Sequence, residues 1–225
     1  MASTTLAQYR TRVSAKLGLQ IGAGDDQTLI DSWLNEAYED IVLKTHCKQR
    51  RATMALTSGT YDYTLPTQAM AILEVQNTAS SIDYGMVRVD LEEMMRMRRA
   101  TGTPPAYFYY SEGDLITVYP TPGSGETMTV YYVPRPTALS ASSDAPTDIP
   151  GEYHKLLEWY ALAEGAEYDN HQPSSFGLTW RTFYENGLRE MRRLLKMRGG
   201  TRIAPAQVRA KRVVIHDRSQ DVQGW

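Results

Sequence analysis

Cysteine occurs once in the 225 residues, at Cys47. That excludes an internal disulfide framework and any zinc site built on several thiolates, and it fits a reducing compartment. Long apolar runs are missing: nothing approaches the ~18 uninterrupted apolar residues that cross a bilayer, so no membrane association is expected. The opening Met-Ala-Ser-Thr-Thr-Leu-Ala-Gln-Tyr-Arg lacks the apolar stretch of a secretory signal, so an intracellular protein is expected. Internal repeats and low-complexity tracts are absent too. With 42% hydrophobic and 22% charged residues, the remaining expectation is a globular chain with an ordinary core.

Overall charge is almost balanced at −2, but its distribution is uneven. Residues 189–225 carry 10 Lys or Arg and 3 acids, net +7, whereas residues 1–188 are net −9. An acidic body joined to a basic C-terminal segment suits an arm that docks on an acidic protein surface or on nucleic acid; the plain alternative is a solvated terminus.

Helical periodicity is clearest at residues 26–46, where Leu29, Ile30, Trp33, Leu34, Ala37, Tyr38, Ile41 and Val42 form one stripe. Asp25 or Asp26 is expected to cap this helix, and Asp40 with Lys44 gives an acid-before-base pair. A shorter helix precedes it, with Leu6, Tyr9, Val13 and Leu17 on one face and Gly18 as its stop. From residue 52 the period becomes two. Ala52, Met54 and Leu56, the Ser58-Gly59 turn, then Tyr61, Tyr63 and Leu65 predict a β-hairpin. Further strands are predicted at 70–76, 106–110, 115–119 and 127–133, with a short Met- and Arg-rich helix at 90–99.

Residues 134–150, with Pro134, Pro136, Pro146 and Pro150, read as a linker. Two more helices follow, one starting at Tyr153, Leu156, Leu157, Tyr160 and Ala161. The other is marked by Phe176, Trp180, Phe183, Tyr184, Leu188, Met191, Leu194 and Leu195, with Pro173 and Ser174 where it should begin. The expected fold is therefore α+β: a four-helix bundle with an inserted antiparallel β module and an extended C-terminal arm. Its expected units are 1–50, the first half of the bundle; 51–148, the β-rich module with linker; 149–198, the second half; and 199–225, the arm.

No set of residues reads as a catalytic constellation. His46 and Cys47 are neighbours at a helix end, so their side chains diverge by about 100°. His154 and Glu158 stand four apart on a helix but lack a third ligand, and are expected as a surface pair. His171 and His216 have no ligand partner at metal spacing. Glu36, Glu39 and Asp40 form a carboxylate cluster that reads as a solvated helix face, and the glycines at 18, 22 and 24 lack the strand and Gly-Lys-Ser/Thr of a phosphate loop. The expectation is no enzymatic activity, no metal and no cofactor. The run Met94, Met95, Arg96, Met97, Arg98, Arg99 has the composition of an interface as readily as of a packed helix.

Five segments in order resemble the head–tail adaptor, or connector, family of tailed bacteriophages. They are Trp33-Leu34-Asn35-Glu36-Ala37-Tyr38, Tyr61-Asp62-Tyr63-Thr64-Leu65-Pro66, Ile116-Thr117-Val118-Tyr119-Pro120-Thr121-Pro122, Val130-Tyr131-Tyr132-Val133-Pro134-Arg135-Pro136, and Ile149-Pro150-Gly151-Glu152-Tyr153-His154-Lys155-Leu156-Leu157. The resemblance covers most of residues 4–198. It implies a non-catalytic virion protein of the neck, made in the host bacterial cytoplasm. Such a protein forms a dodecameric ring beneath the portal protein, contacts a downstream tail or nozzle protein and lets genomic DNA pass without sequence-specific binding.

The resemblance also gives the arm a role, reaching the portal through Arg202, Ile203, Arg209, Lys211, Arg212, Val213, Val214 and Ile215. Extended at ~3.3 Å per residue, the arm spans tens of ångströms. Val213-Val214-Ile215 could add a strand to a portal or neighbouring edge, and Arg209, Lys211 and Arg212 would pair with acids there. A closed ring needs two unlike contact patches. The expected pair is Met94, Met95, Arg96, Arg98 and Arg99 against Glu36, Glu39 and Asp40. The rival expectation is a nucleic-acid-binding protein whose basic arm contacts phosphates.

Overall fold

The computed structural model describes residues 4–19, 24–80, 82–100, 102–168 and 175–198. Helix α1, Leu6–Leu17, opens with the Thr5 N–H donating to Gln8 Oε1 at 3.2 Å. It stops at Gly18, which takes the left-handed conformation at φ 73° and donates to the Ser14 carbonyl. Helix α2, Gly24–Thr45, starts early enough that Asp25 and Asp26 fall in its first turn rather than before it. The apolar stripe read from the sequence is its buried face, with Ile30, Leu34, Ala37, Ile41 and Val42 fully enclosed.

Strand β1, Arg50–Ala55, β2, Asp62–Thr64, β3, Ala69–Ala79, β4, Ile82–Gly85, and β5, Val87–Arg88, lead to helix α3, Leu91–Arg98. After it come β6, Phe108–Glu112, β7, Leu115–Tyr119, and β8, Thr127–Pro134. A 3-10 turn, Gly151–Tyr153, introduces α4, Lys155–Tyr168, and the described chain ends with α5, Ser175–Arg198. Among the described residues no helix is long and apolar enough to cross a membrane.

The strands form two four-stranded sheets, ordered β1-β8-β3-β4 and β2-β7-β6-β5. All pairings are antiparallel except β5 with β6. The sheets share a core: Val75, Met128 and Val130 of the first with Tyr109, Ile116 and Val118 of the second. Alternation then places Phe108 and Tyr110 on the opposite side of β6, against α3, where Met94 is buried with Val89 and Tyr119.

A second core joins α1, α2, α4 and α5 to the end of the first sheet, through Val133, Ala71 and Leu73. The expected four-helix bundle carrying a small inserted β module is thereby overturned. The described residues form five helices and two full sheets, and β8 runs from the sheet core into the helical core, so neither layer is an appendage of the other.

The predicted β1–β2 hairpin also fails. Thr60 N–H does donate to the Thr57 carbonyl in a turn, but the flanking strands part company. β1 pairs with β8, Arg50 opposite Tyr132 through Ala55 opposite Thr127, while β2 pairs with β7. The segment 134–150 forms neither helix nor strand beyond Pro134, as its prolines dictate, yet it is a strap rather than a loose linker. Its Leu139 and Ile149 are buried. The carbonyls of Asp144 and Ser142 accept from Leu6 and Ala7, satisfying N–H groups that the start of α1 leaves unpaired. Asn35 of α2 exchanges two hydrogen bonds with the Leu139 backbone, at 2.7 and 3.1 Å, and Tyr38 Oη accepts from Asp148 N–H at 3.2 Å. Polar groups from two helices therefore find their partners in this segment.

Candidate interaction surfaces

The reactive side chains read from the sequence are dispersed. The Cys47 thiol is half-buried and its pKa is pushed up, chiefly by that burial, which favours the unreactive protonated form. His46 takes a left-handed backbone conformation, φ 53°, beside it. His154 and Glu158 are a buried pair in position rather than the expected surface pair, and each is engaged elsewhere: His154 Nε2 with the Ile149 carbonyl at 3.0 Å, Glu158 with Lys16 at 2.5 Å and Arg12 at 3.9 Å. Among the described residues no three His, Cys, Asp or Glu side chains are grouped to hold a metal ion. His171, His216, Pro173 and Ser174 lie outside the described residues, as does part of the glycine run between 18 and 24.

The Met/Arg segment divides by face. Asp90 accepts from Glu93 N–H at 2.8 Å and starts α3. Met94 then points into the core at 1% exposure, while Met95, one position on, is 52% exposed. Arg96 pairs with Glu93 at 3.3 Å, and Arg98 lies 4.3 Å over the Tyr61 ring, a cation–π contact that holds α3 against the start of β2. Arg99 closes the helix, its N–H bonded back to Arg96. Met95, Arg96, Arg98 and Arg99 are exposed together; Met94 is structural.

The acidic side of α2 divides in the same way. Glu36 is exposed and accepts from Ser32 Oγ at 3.0 Å; Glu39 forms an exposed ion pair with Arg135 at 3.7 Å. Asp40 belongs to the fold: it accepts from Tyr184 Oη at 2.5 Å and pairs with Lys44 at 2.8 Å, fastening α2 to α5. Burial and the Asp40 carboxylate together hold the Tyr184 phenol protonated far above its ordinary range. α3 covers the second sheet while α2 packs among α1, α4 and α5, and no ion pair joins the two segments among the described residues. The arm residues Arg202, Ile203, Arg209, Lys211, Arg212, Val213, Val214 and Ile215 lie outside the described residues.

Two features were not read from the sequence. Glu126, only 4% exposed, accepts from Asn77 Nδ2 and Gly123 N–H, both at 2.6 Å, and from Ala106 N–H at 3.3 Å. This one carboxylate ties β3 to the approaches of β6 and β8 and so fixes one sheet against the other. The second feature is the outer face of α5. Tyr184, Leu188 and Met191 are buried, but Phe176 and Phe183 are exposed and build an edge-packed aromatic row with Trp180 and Trp159, centroids 5.7–5.8 Å apart. The Lys16 ammonium caps the row, 4.9 Å from Trp180.

The aromatic row runs into a groove of about 290 Å³ between α4 and α5. Leu156, Trp159 and Leu194 line it, with Glu152, Glu190 and Lys155 on its lining as well. Gly187 lets the side chains of α4 pack close against α5 along it: a Cβ there would run into Leu156 and stand 3.2 Å from Trp159. The sequence signal was present in the breadth of apolar positions on α5, since Phe176, Phe183 and Leu178 lie outside the stripe that a single buried face requires.

The described surface thus offers exposed aromatic, Met/Arg and carboxylate patches on a two-layered α+β frame, the equipment of a protein that works by contact with other macromolecules. Its family is more specific. The chain matches the family model described as SU10 adaptor protein over residues 4–209, nearly its whole length, and it belongs to that family, a head–tail adaptor family of tailed bacteriophages. Among solved structures it is similar to a chain in "Neck of empty GTA particle computed with C6 symmetry", at 12% identity and a TM-score of 0.31, covering 85% of this chain and 92% of that one. No curated protein matches it in sequence. Its role is that of a structural adaptor protein.

Proposed function

We propose that the protein is the head–tail adaptor of a virion neck, a ring, dodecameric in number, that sits beneath the portal protein and joins the capsid to a downstream tail or nozzle protein. The observation that carries this reading is the family match over residues 4–209. The work is assembly rather than bond chemistry, and the subunits are made in the host cytoplasm before they join the particle.

Ring closure needs a heterologous contact, one patch on each subunit meeting a different patch on the next. Met95, Arg96, Arg98 and Arg99 supply an apolar and cationic patch, and Glu36 and Glu39 an anionic one on another layer of the same chain, so the two are available to successive subunits. Met94 and Asp40 support these patches from within. Genomic DNA passes through the ring without being retained, because residues 1–188, net −9, offer phosphates no cationic wall to bind. The basic arm reaches the portal, with Arg202, Arg209, Lys211 and Arg212 meeting acidic groups and Val213-Val214-Ile215 adding to a strand edge.

The test is co-sedimentation with the cognate portal protein, using the full chain and a chain truncated after Arg198. Binding by the full chain and not by the truncated one supports both the adaptor role and the arm's part in it. If neither form binds the portal and the full chain instead shifts duplex DNA in a salt-dependent way, the basic arm is a nucleic-acid-binding element and the adaptor reading falls.

A further inference from the structure

We propose that the groove between α4 and α5 is the seat of the chain's own proximal arm, taking Ile203 on its apolar floor and Arg202 on its acidic rim. The groove is lined by Leu156, Trp159 and Leu194, and carries two carboxylates, Glu152 and Glu190, against one ammonium, Lys155. An aliphatic side chain next to a cation fits that lining. The arm supplies this pair at once: Ile203 is the first large apolar residue after α5, and Arg202 precedes it.

Position along the chain favours this segment over the later Val213-Val214-Ile215. Leu194 lines the groove and α5 ends at Arg198, only about 6 Å further along the helix axis at 1.5 Å per residue. Gly199-Gly200 follows at once, the residue type that reverses a chain at a helix end without a Cβ penalty. Five residues from Arg198 to Ile203 reach roughly 16 Å when extended, enough to double back to the groove, and a short loop costs less closure entropy than a long one. A seated arm would be held on its own subunit until a portal surface competes for it. That consequence rests on the adaptor reading above; the seat itself does not.

The experiment uses the full chain without any portal, so that failure of the seat and failure of portal binding are separate results. In a Cys47→Ala background, Lys155→Cys and Ala204→Cys place one thiol on the groove and one on the arm beside Ile203, which is kept. A control carries Lys155→Cys with Ser219→Cys, far along the same arm. Under mild oxidation the 155–204 pair is expected to form an intrachain disulfide about a hundredfold faster than the control, well beyond the several-fold that its shorter loop alone gives, because a seated segment has a high local concentration at the groove. Adding Glu190→Lys, an exposed change, should slow the 155–204 reaction several-fold while circular dichroism stays the same. A ratio of less than about tenfold, which loop length alone explains, would overturn the proposal, as would a rate indifferent to Glu190→Lys. A ladder of interchain disulfides would also overturn it and give the groove to a neighbouring copy.

Discussion

The paired sheets and the helical layer each enclose one glutamate, and they satisfy it in opposite ways. Glu126, between the sheets, is met by an amide and two backbone N–H groups. Glu158, at 6% exposure on α4, is met by Lys16 and Arg12 of α1, whose side chains are themselves 42% and 51% exposed. The cost of removing a buried charge depends on what stays behind. Without Glu126 the enclosed Ala106 N–H and the half-buried Gly123 N–H lose their acceptor, although Asn77 Nδ2 keeps Tyr84 Oη at 2.8 Å and the Ala106 carbonyl at 3.1 Å, whereas Lys16 and Arg12 can turn to water. The sheets are thus locked by a contact whose loss leaves backbone donors unpaired, and the helices by contacts that can be traded with water.

This difference sets the largest expected effect. Glu126→Ala should lower unfolding stability by about 2 kcal/mol, since the Ala106 and Gly123 N–H groups lose their acceptor together. Glu158→Ala should cost about 1 kcal/mol, discounted for the exposure of its partners. Denaturant unfolding of the two variants checks the ranking, and near-equal losses would dissolve the contrast. Salt sharpens it further: 0.5 M salt should shrink the Glu158→Ala loss and leave the Glu126→Ala loss in place, as only the former involves solvent-reached charges.

Tyr184→Phe comes next. It removes the hydroxyl that fastens α5 to Asp40 and should cost about 1 kcal/mol at neutral pH. The sign with pH is definite. The folded-state pKa of Tyr184 is raised, so its stabilisation is complete below the ordinary tyrosine value near 10 and is lost as pH climbs through the folded value. Tyr160 nearby, pushed up to about 12 by burial and the surrounding carboxylates, acts in the same sense. Urea midpoints measured from pH 8 to 11 should fall more steeply for the parent chain than for Tyr184→Phe.

The smallest effect belongs to the strap. The Asp144 carboxylate is held below its usual range because it accepts from Ser140 and Ala141 N–H at 2.8 Å. Its stabilisation is therefore present above the ordinary carboxylate value near 4 and is lost as pH falls through the lower folded value. Asp144→Asn should remove that acid-side dependence, read as a flatter stability profile below pH ~4.

The same two regions differ in how much their sequence discloses. The buried face of α2, the stop at Gly18 and the alternation of β7 and β8 follow from local periodicity, which the folded chain obeys. Strand partnership is non-local. Ala52, Met54 and Leu56 advertise a strand with one buried side, but only the distant run Thr127–Tyr132 determines what it pairs with. β4 and β5 were missed because Ile82 and Val87 are exposed, so no alternation marks them. Glu126 stands between Gly125 and Thr127 at the end of a turn and reads as a solvated acid until Asn77 and Ala106 are brought to it. The Met/Arg and acidic patches were legible as composition. Their division into exposed contacts and internal supports, Met94 and Asp40, depends on which way each residue faces in the folded helix.

Electron microscopy of the full chain bound to its portal tests the central claim most directly. The account predicts a closed ring of adaptor subunits under the portal, with the α3 segment around Met95 and Arg96 facing Glu36 and Glu39 of the next subunit and an open channel along the axis. Portal particles without such a ring, or with subunits scattered singly and making no contact with one another, would contradict it.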